Sequence, residues 1–172
     1  HSPASVETSL MTKAPPTLAL WQRLNTKPGG QWLFARGVCR RAPYFSTIRP
    51  RIEALETGRC VVTSRKRRSV ENHIGTFHAI AMCNMAELAG GLAAEATVPT
   101  THRWIPQGME VDYVAKAETD LTATCVVDLP TTWDDRQTLS TPVDITDASG
   151  QIVFRARIRM YVSKKPARKP AA

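Results

Sequence analysis

Between Asn72 and Gly91 the chain reads NHIGTFHAIAMCNMAELAGG. Polar groups gather at its start, in Asn72, His73 and His78, and the apolar run that follows carries only Asn84 and one carboxylate, Glu87. An acid in such a segment is a candidate general base or nucleophile, because desolvation raises a carboxylate's affinity for a proton. If the run is a helix, it starts just after His78. The free backbone N–H groups of its first turn, that of Ala79 among them, are then donors suited to a developing oxyanion. His78 and Glu87 lie nine residues apart, which on a helix is about 180° of rotation and roughly 13 to 14 Å of rise. They cannot act on one atom within one chain. Either they are structural, a histidine bonded to backbone and a glutamate paired with an arginine, or two copies meet so that Glu87 of one faces the Asn72–His78 loop of the other.

No metal centre is expected. The spacing of His73, His78 and Glu87 matches no ligand motif, and Cys39, Cys60, Cys83 and Cys125 include no C-x-x-C pair. The thiols read as free cysteines of a reducing cytoplasm.

The elements that must hold these residues follow from local pattern. Pro15 and Pro16 start a short helix with Leu18, Trp21 and Leu24 on nearly one face. After the NTKPGG break, QWLFARGVCRR is helix-compatible and predicts that Trp32 and Phe34 are buried. Two strands are expected between Tyr44 and Arg67, turning at Glu56–Gly58. The segment from Ala79 to Ala94 is a helix buried on most sides. It presents Phe77, Ala81, Leu88 and Leu92 on one face and small residues (Ala79, Ala86, Gly90, Ala93) on the other, where it can lie close against a sheet. Beyond Pro99 the chain reads as about four antiparallel strands. The last two form a hairpin turning at DASG, with Ile152, Phe154, Ala156, Ile158, Met160 and Val162 inward and Arg155, Arg157 and Arg159 outward.

The 172 residues, 42 % of them hydrophobic, suit one domain of α+β class. The expected limits are a leader at 1–14, a domain at 15–163 with a helical N-terminal extension, and a basic tail at 164–172. No stretch reaches the roughly 18 to 20 apolar residues of a membrane span, and the N-terminus lacks an export-signal pattern, so a cytoplasmic location is expected. The net charge of +8 has two sources, Arg65–Arg68 and the tail SKKPARKPAA; the other basic residues balance the 15 acids. A neutral body without base-stacking aromatics beside the basic run argues against nucleic acid.

This element order resembles the hotdog fold, an antiparallel sheet of five to six strands wrapped around one long helix. Within it, Asn72, then His78 six residues on, then Glu87 nine residues after that, resembles the motif of phenylacetate-pathway-type hotdog thioesterases. PGGQWLFARGVCRRAPYF resembles a hotdog branch of unknown function. The resemblance spans about Trp21 to Val162. Ala79 and Ile80 stand where that family has Gly-Gly, and Pro106 and Gln107 stand near the place of its Ser or Thr, which makes Gln107 a candidate substrate contact.

The resemblance implies thioester hydrolysis at a site shared by two subunits. Glu87 would be base or nucleophile, Asn72 would orient the thioester or the water, His78 would sit beside the substrate, and the Ala79 amide would bind the oxyanion. It implies a homodimer, or dimers paired into tetramers, and no cofactor besides coenzyme A carried by the substrate. The phosphates of coenzyme A would suit Arg65, Lys66, Arg67 and Arg68, and a protein acyl carrier is the other possible donor. Two alternatives stay open. One is a hotdog enoyl-thioester dehydratase, since His73 and Glu87 have that group's spacing of 14. The other is an acyl-CoA-binding module without catalysis.

Overall fold

The computed structural model describes residues 13–167. Two short helices come first, α1 (Pro16–Leu24) and α2 (Gly30–Arg41), followed by a 3₁₀ turn at Pro43–Ile48. Then come β1 (Arg51–Glu56), β2 (Arg59–Ser64), the long helix α3 (Ala79–Thr97), β3 (His102–Tyr113), β4 (Leu121–Val126), β5 (Gln137–Thr146) and β6 (Ile152–Lys164). The six strands form one antiparallel sheet in the order β1-β2-β4-β5-β6-β3, so β1 and β3 are its edges. This is the hotdog arrangement, with α3 lying in the concave face of the sheet against β2, β4 and β5.

The expected patterns produce this packing. Along β6, Phe154, Ala156, Ile158, Met160 and Val162 point into the core, and Arg155, Arg157 and Arg159 point to solvent. Arg155 meets Asp144 at 3.4 Å and Arg159 meets Glu110 at 3.1 Å. The turn at Glu56–Gly58 closes the first hairpin with Gly58 at φ 77°, a conformation that glycine adopts without steric cost. Its amide donates to Thr97 Oγ1 at 2.7 Å, tying the hairpin to the end of α3.

Close helix–sheet approach rests on Gly90. A Cβ there would stand 2.9 Å from Thr141 Oγ1 and 3.0 Å from Ile158 Cδ1. Asn84, the other polar residue of the run, is buried and bonds through Nδ2 to the Tyr44 carbonyl (3.4 Å) and to Thr47 Oγ1 (3.1 Å). It therefore fastens α3 to the 3₁₀ turn rather than serving chemistry.

The expectation for α2 needs correction. Phe34 is buried against Trp21 in an edge-to-face pair with ring centroids 5.1 Å apart, but Trp32 is 65 % exposed, with the Arg36 guanidinium over its ring. One helical face cannot hold both residues, since positions two apart point about 200° apart. The last strand also extends beyond the expected domain limit: Lys164 belongs to β6, and the Lys165 amide donates to the Thr101 carbonyl. The rest of the leader and tail, 1–12 and 168–172, lies outside the described residues. Among the described residues no helix is long and apolar enough to cross a membrane.

Cys60 and Cys125 face each other across β2 and β4, both free and buried. Burial pushes the Cys125 thiol up to about 12 and the Cys60 thiol well above its ordinary range. Cys39 and Cys83 are free and half-buried.

Candidate functional site

The side of α3 that the sheet leaves open carries Ile80, Cys83, Glu87, Gly91 and Glu95 at helical spacing. The helix was expected to bury its acid, yet Glu87 is exposed. None of the ion pairs among the described residues includes it. Glu87 lies at one end of a groove of about 440 Å³, within the roughly 300 to 1,000 Å³ usual for small-molecule sites. α3 forms the floor, Pro106 and Trp104 come from β3, and Val38, Arg41, Ala42 and Phe45 line the opposite side. A slightly larger groove, about 490 Å³, lies beside Trp32, Arg36, Arg49 and Arg51. Its lining holds no acid or histidine, whereas Glu71 and His78 line a third groove of about 330 Å³ beside Tyr44 and Asn84.

The polar loop is a closed turn. Asn72 Oδ1 accepts from the amides of Ile74 (3.1 Å) and Thr76 (3.0 Å), and Asn72 Nδ2 donates to Thr76 Oγ1 (2.8 Å). The loop's ends are joined by the Glu71–Phe77 bridge, and the His78 amide donates to the Val70 carbonyl. His73 is exposed in this loop. Asn72 therefore shapes the loop that delivers the chain into α3.

His78 is the helix N-cap, and its Nδ1 accepts from the Ile80 amide at 3.0 Å. That bond places the ring proton on Nε2. The Met82 amide bonds the His78 carbonyl, so the amides left open in the first turn are those of Ala79 and Ala81. The Ala79 amide, expected from the sequence as an oxyanion donor, is one of these two. His78, by contrast, has a structural task of its own.

A variant pair separates the two roles of His78. His78→Ala should cost about 0.5 to 2 kcal/mol of stability through loss of the cap, and His78→Asn should restore most of it. If His78→Asn regains stability by chemical denaturation but not activity, the ring takes part in chemistry. If it regains both, the residue only caps.

The basic run splits in two. Lys66 pairs with Glu71 at 2.6 Å, and Arg67 donates to the backbone carbonyls of Thr47 (2.6 Å) and Ile48 (3.2 Å). Burial and the neighbouring Arg49 lower the proton affinity of Arg67. Arg65 and Arg68 are exposed and available to a ligand. Gln107 is exposed at a bulge in β3, where the pairing with β6 skips from Pro106 to Gly108. Among the described residues no cluster of His, Cys, Asp or Glu is arranged to hold a metal ion.

Three groove residues escape the sequence reading: Trp104, Glu95 and Thr17. The signal for Glu95 is present, since Glu87, Gly91 and Glu95 share one face at four-residue spacing, but the expected helix ends at Ala94, whereas α3 runs on to Thr97. Trp104 is placed by a strand that begins at His102. Burial raises the proton affinity of the Cys83 thiol, one turn from Glu87, despite the Tyr113 hydroxyl 4.0 Å away.

Comparison with known proteins follows this geometry. A family profile described as "Domain of unknown function (DUF4442)" matches residues 30–162. Among curated proteins none matches the sequence. A structural-genomics crystal structure is 41 % identical at TM-score 0.74, covering 87 % of this chain and 98 % of that one. A Pseudomonas aeruginosa protein of unknown function, described as a probable thioesterase, is 20 % identical at TM-score 0.69, covering 76 % and 94 %. A thioesterase from Haemophilus influenzae is 14 % identical at TM-score 0.62, covering 70 % and 82 %. The last two likenesses concern the fold alone. The chain belongs to the DUF4442 family and has the hotdog fold seen in these thioesterases.

Proposed function

We propose that this protein hydrolyses acyl thioesters at a site completed by a second copy of the chain. The carrying observation is Glu87: a carboxylate with no ion-pair partner among the described residues, in a largely apolar groove, about 12 Å along α3 from the open Ala79 amide at the helix start. A paired copy supplies the missing half, bringing Glu87 of one chain to the Ala79 amide of the other. β3 is an unpaired sheet edge beside the same stripe, which supports pairing on this side.

In the reaction Glu87 takes a proton from water as the oxygen attacks the thioester carbon. The carbonyl oxygen becomes an oxyanion held by the Ala79 amide. The tetrahedral species then breaks its C–S bond, and Glu87 returns the proton to the leaving sulfur. Asn72 acts through the loop it closes, and Arg65 and Arg68 offer charge to the phosphates of a coenzyme A carrier.

A second reading draws on the same site. The side-chain amide of Asn72 and Nδ1 of His78 are both engaged within the chain, which favours a module that holds acyl thioesters without cleaving them. A panel of acyl-CoA thioesters with free-thiol detection tests both. Thiol release from at least one substrate supports hydrolysis. Binding by calorimetry without release supports the module, and neither binding nor release removes both readings.

A further inference from the structure

The groove that starts at Glu87 has a built end. Eight residues along α3, about 12 Å, Glu95 is held on both carboxylate oxygens. Its Oε2 accepts from Trp104 Nε1 at 2.7 Å, and its Oε1 accepts from Thr17 Oγ1 at 3.3 Å. The bridge joins β3, α3 and α1 across the groove. The indole lies over Gly91, where a Cβ would stand 3.4 Å from Trp104 Cη2. Between the ends the lining includes Val38, Phe45, Leu88 and Leu92.

The two ends differ in chemistry. Glu87 has no ion-pair partner among the described residues. At the far end the polar groups bond one another, and the indole ring faces the groove. A ligand lying there has its polar head at Glu87 and an apolar tail toward Trp104. A largely apolar groove ended by a ring measures length, because each buried methylene strengthens binding until the tail meets the ring.

We propose that the Trp104–Glu95–Thr17 bridge is the end-stop of an acyl groove, so that the protein selects straight-chain acyl groups of medium length. This rests on the hydrolase reading in taking Glu87 as the site of the reactive carbon, but its test does not need turnover. S-alkyl coenzyme A thioethers cannot be hydrolysed, and their binding can be followed by calorimetry from ethyl to hexadecyl. In the wild type, affinity should rise about fourfold per methylene over the short chains and then stop rising or fall.

Trp104→Ala should move that break to longer chains. Gly91→Leu fills the groove from the floor and should move it to shorter chains; unlike Gly90, Gly91 faces the groove, and a Cβ there meets only the Trp104 ring, at 3.4 Å. The opposite shifts guard against the failure of either variant to fold. The proposal is overturned if wild-type affinity does not depend on alkyl length. It is also overturned if every folded variant of the two keeps the wild-type break. A length-dependent break together with no thiol release from acyl-CoA would leave the end-stop standing and remove the hydrolase reading.

Discussion

Glu87→Gln is expected to retain the fold and to lose turnover by about 10² to 10⁴. The substitution is nearly isosteric, and the side chain it replaces is exposed and in none of the chain's described ion pairs, so little stability is at stake. What it removes is the group that takes a proton from water. Steady-state kinetics and a melting curve on the same preparation check both halves of the expectation.

A shared site adds a stricter test. Asn72→Ala opens the loop that leads to the helix start, a lesion on the other half of the site. Each variant alone should be nearly inactive. Mixed under conditions that exchange subunits, random pairing makes about half of the dimers mixed, and in each of these one site carries both lesions and the other none. Roughly a quarter of all sites become intact, as two-fold symmetry requires. If mass spectrometry confirms exchange and the mixture stays inactive, the two residues do not meet across a dimer.

The second large effect concerns packing. Gly90→Leu should destabilise by about 1 to 3 kcal/mol or more, enough to leave much of the protein unfolded. Its Cβ would meet the Thr141 and Ile158 side chains, both buried on β5 and β6, which must shift within a packed core to admit it. Gly91→Ala, one residue along, should instead stabilise by up to about 1 kcal/mol, because its Cβ finds ordinary contact with Trp104 and the helix gains propensity. Urea unfolding of the two variants checks the contrast; equal effects would mean that α3 does not rest on the sheet through Gly90.

The sequence shows α3, the two tight turns and the facing of β6 because each follows from local periodicity. It also shows that His78 and Glu87 cannot cooperate within one chain, since helix geometry alone decides that. The groove is a different kind of feature. Its walls come from α2, the 3₁₀ turn and β3, which are distant in the chain, and no periodicity brings Phe45 and Trp104 to one space. The same limit explains Trp32. Hydrophobicity marks it for burial, but the direction of α2 is set by Phe34 packing on Trp21. Asn72 and His78 show a subtler limit, because residues fit for chemistry are also fit for closing turns and capping helices. Only the hydrogen bonds separate those roles.

The bulge at Gln107 bears on how chains add to one another. An open strand edge can template extended polypeptide without limit, the start of fibrous aggregation. On β3 the row of donors and acceptors is broken after Ile105, because Pro106 has no N–H and the strand skips register at Gln107. Regular edge remains over Gly108–Tyr113, about the length of one ordinary strand. A strand added there would lose its register if it slid toward His102. The edge therefore admits one short, fixed pairing and refuses the long, slippery ones from which polymers grow.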